Sequence, residues 1–133
     1  MTEVQLENPI IDLSEPFVDE RGKIQNLVSL FNESMHSAVM IDSKKGSVRA
    51  NHYHKSDWHY CYVVSGGIDY YYREVGGTDE PLKVHIKQGQ LFYTPPMLEH
   101  AMVFTEDTVF LTLGGGTRKH EDYESDLVRV KLV

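Results

Sequence analysis

The sequence lacks several features that would each place the protein in a particular class. It has one cysteine, Cys61, in 133 residues, which excludes an internal disulfide framework and a thiolate metal site. No basic run is longer than Lys44-Lys45 and the net charge is −7, so a nucleic-acid partner is not expected. No stretch approaches the roughly 20 apolar residues of a membrane-spanning helix, and MTEVQLENP at the start does not resemble a signal peptide. We therefore expect a cytoplasmic protein that binds neither nucleic acid nor membrane.

Helical periodicity and phosphate loops are also missing. No long window shows the 3.6-residue period of an amphipathic helix, and the acidic stretch Glu121–Asp126 is interpreted as a solvated loop. Gly114–Gly116 lacks the Lys-Ser/Thr that follows the glycines of a phosphate loop, so a turn is expected there. The length predicts one domain over residues 1–133.

The sequence is rich in short runs of tyrosine, valine, isoleucine and threonine that are separated by turn residues. This pattern predicts an all-β fold, mostly antiparallel, as a double sheet or jelly-roll barrel. The predicted strands are Ile10–Asp12, Ile24–Phe31, Ser37–Asp42, Val48–His54, Trp58–Val64, Ile68–Glu74, Lys83–Lys87, Gln90–Thr94, His100–Phe104, Thr108–Leu113 and Leu127–Leu132.

Three of the seven histidines fall within eight residues, at positions 52, 54 and 59. Residues i and i+2 of a strand share a face, so His52 and His54 should point the same way. After a turn, His59 lies on the next predicted strand and can face back toward them. Asp57 shares the parity of His59, and it either orients an imidazole or makes the turn. The spacing indicates a site rather than three scattered surface histidines.

The residues around these histidines resemble the first sequence motif of the cupins. In Gly46–Gly66, five residues separate the first glycine from His52, and His54 and His59 follow at the motif's spacing. The cupin motif normally has a glutamate where this chain has His59.

The second cupin motif is similar to residues 89–104. Gly89 is followed after five residues by Pro95, and then by His100. The motif normally has a glycine where Met97 stands and an asparagine where Phe104 stands. Together the two motifs imply a cupin jelly-roll barrel, with motif 1 at 46–66 and motif 2 at 89–104.

The resemblance implies that a divalent transition metal is bound by His52, His54, His59 and His100. Zn, Fe, Mn and Ni are the ions considered, and the sequence does not choose among them. Four neutral imidazoles would leave the ion its full charge, which makes it a stronger Lewis acid that attracts an anionic substrate. Because the ligands must be neutral, metal binding is expected to weaken as the pH falls through the histidine range.

Two further strings resemble cupins that modify nucleotide sugars, a role in carbohydrate biosynthesis. FVDERGKI at residues 17–24 and RANHYHK at residues 49–55 are similar to dTDP-4-dehydrorhamnose 3,5-epimerases and dTDP-4-keto-6-deoxyhexose 3,4-ketoisomerases. Those enzymes work without metal, through a histidine that removes a proton beside a keto group. The resemblance implies that His52 is the base, that His54 is its partner and that Arg49 anchors the substrate.

Two details qualify this second resemblance, and two further residues are predicted from it or near it. A regular strand would place Arg49 on the opposite face from His52, so the prediction requires a bulge. The acid tyrosine of the epimerases aligns at about Thr112, which has no acidic proton to give. Lys55, in the same string, and Tyr93, which can overhang the site as a donor, are also predicted to contact substrate.

Three functions remain open from the sequence. The first is an epimerase or isomerase of a keto-sugar nucleotide, the second a metal-dependent dioxygenase or lyase, and the third a cupin that binds a ligand without catalysis. The balance favours an enzyme with a small-molecule substrate. Trp58, Tyr60 and Tyr62 share one face of a predicted strand, and this aromatic face predicts a homodimer.

Overall fold

Two antiparallel sheets of five strands form the framework of the protein. The computed structural model describes residues 6–28, 35–116 and 120–133. Its elements are β1 (Ile10–Ile11), β2 (Phe17–Asp19), β3 (Gly22–Ile24), β4 (Ser37–Ser43), β5 (Val48–His54), β6 (His59–Ser65), β7 (Gly67–Glu74), β8 (Leu82–Lys87), β9 (Leu91–Thr94), β10 (Leu98–Phe104), β11 (Thr108–Gly114), α1 (His120–Asp126) and β12 (Leu127–Arg129).

The strand order is that of a jelly roll. One sheet has the order β1-β9-β6-β11-β4, the other has β12-β5-β10-β7-β8, and β2 and β3 pair as a separate hairpin. Every described strand pair is antiparallel. The all-β jelly-roll prediction is confirmed, because residue alternation lets each strand bury one side chain in two against the facing sheet.

The inward-facing side chains change from apolar to polar along the strands. On β6 the inward residues run from His59 through Cys61 to Val63, and on β11 from Gly114 through Thr112 to Phe110. At the apolar end the large buried side chains form the core, and each contributes about 1.5–3 kcal/mol through burial. They are Ile68, Tyr70, Ile86, Phe92, Phe104 and Phe110. The polar end is left for the histidines.

One predicted strand is wrong where the structure describes it. The interpretation of Ile24–Phe31 as a strand fails over residues 25–28, where β3 has already ended at Ile24; residues 29–31 lie outside the described residues. The preceding DERG turn instead closes the β2–β3 hairpin, where Asp19 Oδ1 accepts the N–H of Arg21 at 2.9 Å.

The prediction that Glu121–Asp126 is a loop is also wrong, because this stretch forms most of helix α1. Seven residues make fewer than two helical turns, which is too short to show a period. Glu121 and Asp122 in its first turn suit the positive end of the helix dipole. Within the described ranges, no helix has the length and apolar character that a membrane crossing requires.

Candidate functional site

Four buried histidines meet at the polar end of the barrel interior. β5 supplies His52 and His54, β6 supplies His59 and β10 supplies His100. The ring centroid of His52 lies 4.8 Å from the ring centroids of both His54 and His100. The ring centroids of His54 and His59 are also 4.8 Å apart. The rings border a cavity of about 150 Å³. Its remaining lining residues are Ile41, Arg49, Ala50, Cys61, Phe92, Thr94, Met102, Phe110, Thr112 and Tyr123.

Arg49 reaches this cavity because β5 contains a bulge. His52 pairs with His100, but the next step pairs Ala50 with Ala101, so Asn51 is the extra residue. Ala50 and Asn51 have left-handed backbones, with φ of 71° and 55°. The extra residue reverses the alternation of side chains, and Arg49 and His52 therefore line the same cavity.

The Arg49 guanidinium is fixed by neighbouring groups on β4. Its Nε donates to Ser43 Oγ at 2.6 Å, and its Nη2 donates to the carbonyl of Asp42 at 3.0 Å. A held guanidinium beside the histidines is a binding group for a carboxylate or phosphate.

Three of these histidines, His52, His54 and His100, are held neutral. Burial, followed by the nearness of His100 and the other rings, lowers the pKa of His52 to about 2. Burial likewise lowers the pKa of His100 to about 3, against the opposing hydrogen bond to Leu98. The pKa of His54 is lowered by burial and by His59. Neutral imidazoles can accept a proton or bind a metal ion.

Hydrogen bonds assign the ring protons of two of these histidines. His100 Nδ1 lies 2.8 Å from the carbonyl oxygen of Leu98, which only accepts, so Nδ1 carries the proton. His54 Nδ1 lies 3.2 Å from Asp126 Oδ2, and the carboxylate favours the proton on Nδ1 in the same way. His54 Nε2 is buried without a hydrogen-bond partner, so it presents a lone pair to the interior.

Two carboxylates lie behind the histidines. Asp126 also accepts from the Ser56 N–H, the Ser56 hydroxyl and the Asp57 N–H, which outweigh its burial and lower its pKa. Burial opposes ionisation of Asp57, but His59 and the N–H groups of Gly116 and Trp58 lower its pKa to about 2. Asp57 Oδ2 lies 3.2 Å from His59 Nε2 without hydrogen-bonding geometry. Asp57 thus closes the turn and also faces an imidazole.

The donor set fits a divalent transition metal ion. The ligand nitrogens of His52, His54 and His100 all lie within 4.8 Å of one another, and all three side chains are buried. Their lowered pKa values leave neutral nitrogens, and imidazole suits Zn, Fe and Ni. His59 stands outside this trio, because it packs against His54 on one side and Asp57 on the other.

The structure does not bring Lys55 and Tyr93 to the histidine cavity. Lys55 borders a cleft of about 660 Å³ that shares only the Tyr123 wall with it. The Tyr93 ring packs on Tyr60, with centroids 4.5 Å apart, and borders another surface cleft of about 600 Å³. Thr112 lines the cavity beside Cys61, with Oγ1 3.5 Å from the sulfur.

Two residues of the site come from α1 and were not recognised in the sequence. The Tyr123 ring centroid lies 5.4 Å from that of His54 and 6.5 Å from that of His52, so it closes one side of the cavity. Asp126 orients His54 as described. A seven-residue helix is too short to show a sequence pattern that would predict these roles. The strand β12 that follows pairs Leu127 with His54, and this pairing places α1 beside β5.

Two facing antiparallel sheets around a histidine-lined cavity define a jelly-roll barrel protein with a buried polar site. Residues 39–114 match the model of the cupin domain family, so the chain belongs to the cupin family. Both motifs, 46–66 and 89–104, fall inside the match, and extension of the domain over 1–133 stays a prediction. A comparison with curated proteins finds no similar sequence.

Solved structures share this fold at low identity. The capsular polysaccharide assembling protein CapF from Staphylococcus aureus has a TM-score of 0.64 and 19% identity over 94% of this chain, which spans only 35% of CapF. The sugar 3,4-ketoisomerase QdtA from Thermoanaerobacterium thermosaccharolyticum, in complex with TDP, has a TM-score of 0.68 and 19% identity, covering 90% of this chain and 85% of QdtA. The dTDP-4-dehydrorhamnose 3,5-epimerase from Sulfolobus tokodaii has a TM-score of 0.69 and 15% identity, covering 93% of this chain and 83% of the epimerase.

Proposed function

We propose that the protein is an isomerase or epimerase that moves a proton beside the carbonyl of a keto-sugar nucleotide. The observation that carries this proposal is the shared cavity of Arg49, His52 and His54, an anion-binding cation beside neutral imidazoles. The similarity in fold to a ketoisomerase and an epimerase of nucleotide sugars supports the substrate class.

In the proposed reaction, His52 accepts the proton from the carbon next to the ketone. The C–H electron pair then moves onto the carbonyl as an enolate. In an epimerisation a proton returns to the same carbon; in an isomerisation the hydroxyl proton of that carbon passes to the enolate oxygen, and a proton is added to the former carbonyl carbon. An anionic substrate brings negative charge to the rings, which favours the imidazolium and raises the pKa of His52 from its low resting value. His54, with its Nδ1 held by Asp126, tunes or relays the proton.

Arg49 is proposed to anchor the diphosphate. A cavity of about 150 Å³ admits the reacting part of the substrate, with the diphosphate at Arg49, and leaves the nucleoside outside. Lys55 and Tyr93, which border separate surface clefts, would contact only parts of the ligand that extend beyond the cavity.

A second candidate is favoured by the histidine trio. We propose that His52, His54 and His100 hold a divalent transition metal, Zn, Fe, Mn or Ni, with His59 beside them. Such an ion supplies Lewis-acid polarisation of a substrate oxygen, as in a metal-dependent dioxygenase or lyase. Binding of a ligand without catalysis is the remaining alternative.

Solvent exchange tests the proposed reaction. The protein, stripped of metal with EDTA, is incubated with dTDP-4-keto-6-deoxyglucose in D₂O, and deuterium entering a carbon beside the ketone is followed by NMR. His52→Asn keeps much of the side-chain shape but lacks the basic nitrogen, so exchange should fall by about 10²–10⁴-fold. His85→Asn, at an exposed histidine on β8, is the matched control. Exchange only after metal loading would favour the second candidate, and none in either state would exclude the substrate class.

We also propose that the protein is a homodimer. Trp58 and Tyr60 pack edge to face, with centroids 5.7 Å apart, and Tyr60 continues the aromatic surface to Tyr93. These rings and Tyr62 are only partly buried in the single chain. A monomer in light scattering at micromolar concentration would contradict the proposal.

A further inference from the structure

The bulge that turns Arg49 into the cavity is fastened to residues 130–133. Asn51 Oδ1 accepts the N–H groups of Leu132 at 3.0 Å and Val133 at 3.2 Å. Asn51 Nδ2 donates to the carbonyl of Val133 at 3.2 Å, and the Val130 N–H donates to the Asn51 carbonyl at 3.0 Å. The side chain and the backbone carbonyl of Asn51 together form four hydrogen bonds to residues 130–133.

This fastening coincides with an unfavourable backbone. Ala50 and Asn51 are successive non-glycine residues with left-handed φ. Alanine has no side-chain group that offsets this conformation, whereas asparagine tolerates it and bonds locally. Such outliers persist where the surrounding structure holds them, and they concentrate at functional sites. Here the structure that holds them is segment 130–133.

The bulge decides which way Arg49 faces. In an unbulged strand, residues three apart point to opposite faces, so Arg49 would turn away from His52. With the bulge, both line the cavity, and Arg49 Nε reaches Ser43 Oγ. Among the described residues, the hydrogen bonds of the guanidinium use Nε and Nη2 and leave Nη1 for a ligand.

We propose that Asn51 is a positioning residue for Arg49. Its hydrogen bonds to segment 130–133 hold the bulge, and the bulge holds the guanidinium in the histidine cavity. The positioning follows from the described contacts alone. That the anion bound by Arg49 is a nucleoside diphosphate rests on the proposed function.

Three variants separate the side-chain bonds from the backbone conformation. Asn51→Gly keeps the left-handed backbone and loses all three side-chain bonds. Asn51→Asp keeps both acceptor bonds from Leu132 and Val133 and also tolerates this backbone, but it replaces the Nδ2 donor with an oxygen that faces the Val133 oxygen. Leu132→Pro removes the backbone N–H that donates to Asn51 Oδ1 and leaves the sequence of β5 unchanged. This variant tests the proposal even if Asn51→Gly does not fold.

The first readout is the ¹⁵N-labelled Nε–H signal of Arg49, which needs no substrate. Its bond to Ser43 Oγ should slow exchange with water in the wild type. Asn51→Gly should exchange about tenfold faster, and Leu132→Pro and Asn51→Asp, which each keep part of the bonding, should show smaller increases. The second readout is the affinity for thymidine diphosphate, which should fall about tenfold in Asn51→Gly and less in Leu132→Pro.

The two readouts fail separately. An unchanged Arg49 signal in both Asn51→Gly and Leu132→Pro overturns the positioning role, whatever the nucleotide does. A responsive Arg49 signal in a protein that does not bind thymidine diphosphate supports the positioning role and removes the proposed substrate class.

Discussion

Met97 occupies a left-handed backbone position, with φ of 59°, directly before β10. Its N–H donates to the carbonyl of His54 at 2.7 Å, and its side chain is half exposed. The cupin motif normally has a glycine here, and the backbone gives the reason. Met97→Gly should raise the free energy of unfolding by about 1 kcal/mol, measured by urea denaturation, because the steric cost of Cβ disappears. Met97→Ala keeps Cβ; an equal gain in that variant would place the effect in the side chain.

The histidine trio predicts unequal effects of alanine substitutions on metal binding. His52→Ala or His100→Ala should abolish stoichiometric zinc while leaving the barrel folded, since each removes one of three converging nitrogens. His59→Ala should weaken binding only about 10–100-fold, because His59 packs beside the trio. Calorimetric titration of zinc measures both. If His59→Ala loses as much as His100→Ala, the ion is bound by all four.

The sequence predicts some site residues for physical reasons and misses others for equally physical ones. His52 and His54 share a face because they are two apart on a strand, and the turn after them returns His59. Arg49 needed a bulge that strand periodicity does not contain. Tyr123 reaches the cavity from a helix nearly 70 residues after β5, and no local pattern records so distant a contact.

At the scale of elements, α1 ends on a residue that its own dipole disfavours. Asp126 is acidic at the negative end of the helix, which costs about 0.3–1 kcal/mol. The hydrogen bonds from His54 and from the turn at Ser56 and Asp57 offset that cost. Asp126 therefore stabilises the turn between β5 and β6 more than the helix to which it belongs.

Asp126→Ala should lower the free energy of unfolding by about 3 kcal/mol, because four donors lose a charged acceptor. Ser56→Ala removes one of those bonds and should cost about 1 kcal/mol. Urea denaturation gives both values, and hydrogen exchange at the Ser56 and Asp57 amides locates the loss. Equal costs for the two variants would show that the carboxylate bonds only the Ser56 hydroxyl effectively.

The elements that sequence periodicity predicted well are those that span the barrel. Strands β4, β6, β7 and β11 alternate between more and less buried positions, and that alternation appears in the residues themselves. The hairpin β2–β3 is exposed on both faces, with Phe17, Val18 and Ile24 more than half exposed, so hydrophobic patterning could not mark it.

For the whole molecule, the histidines make stability depend on pH. The folded pKa values of His52 and His100, about 2 and about 3, lie below the unfolded value of 6.5. Between these values the unfolded chain binds more protons, so their contribution is present above pH 6.5 and is lost as the pH falls. Each group contributes about 1.4 kcal/mol per pH unit, so the metal-free protein should lose about 3 kcal/mol between about pH 7.5 and 5.5.

Urea denaturation of EDTA-treated protein across that pH range measures the effect. His100→Gln removes one of the titrating groups, beside His52 and His54, and should reduce the slope by about a third to a half. A stability that does not change with pH in the wild type would mean that these rings take up protons as readily in the folded protein as in the unfolded chain.

The order of strands in the sheets has a consequence for how the chain folds. In the described residues, β1, β4, β5 and β6 do not pair with one another; every partner they have lies beyond residue 90, in β9, β10, β11 and β12. Long loops must therefore close before either sheet gains most of its ladders, which makes such topologies fold in milliseconds to seconds rather than microseconds. On the ribosome, strands β1, β4, β5 and β6 have no partner strand until the residues after position 90 have been synthesised. A chain that stopped after β8 would keep the hairpins β2–β3 and β7–β8, but it would leave those four strands with no ladder to join.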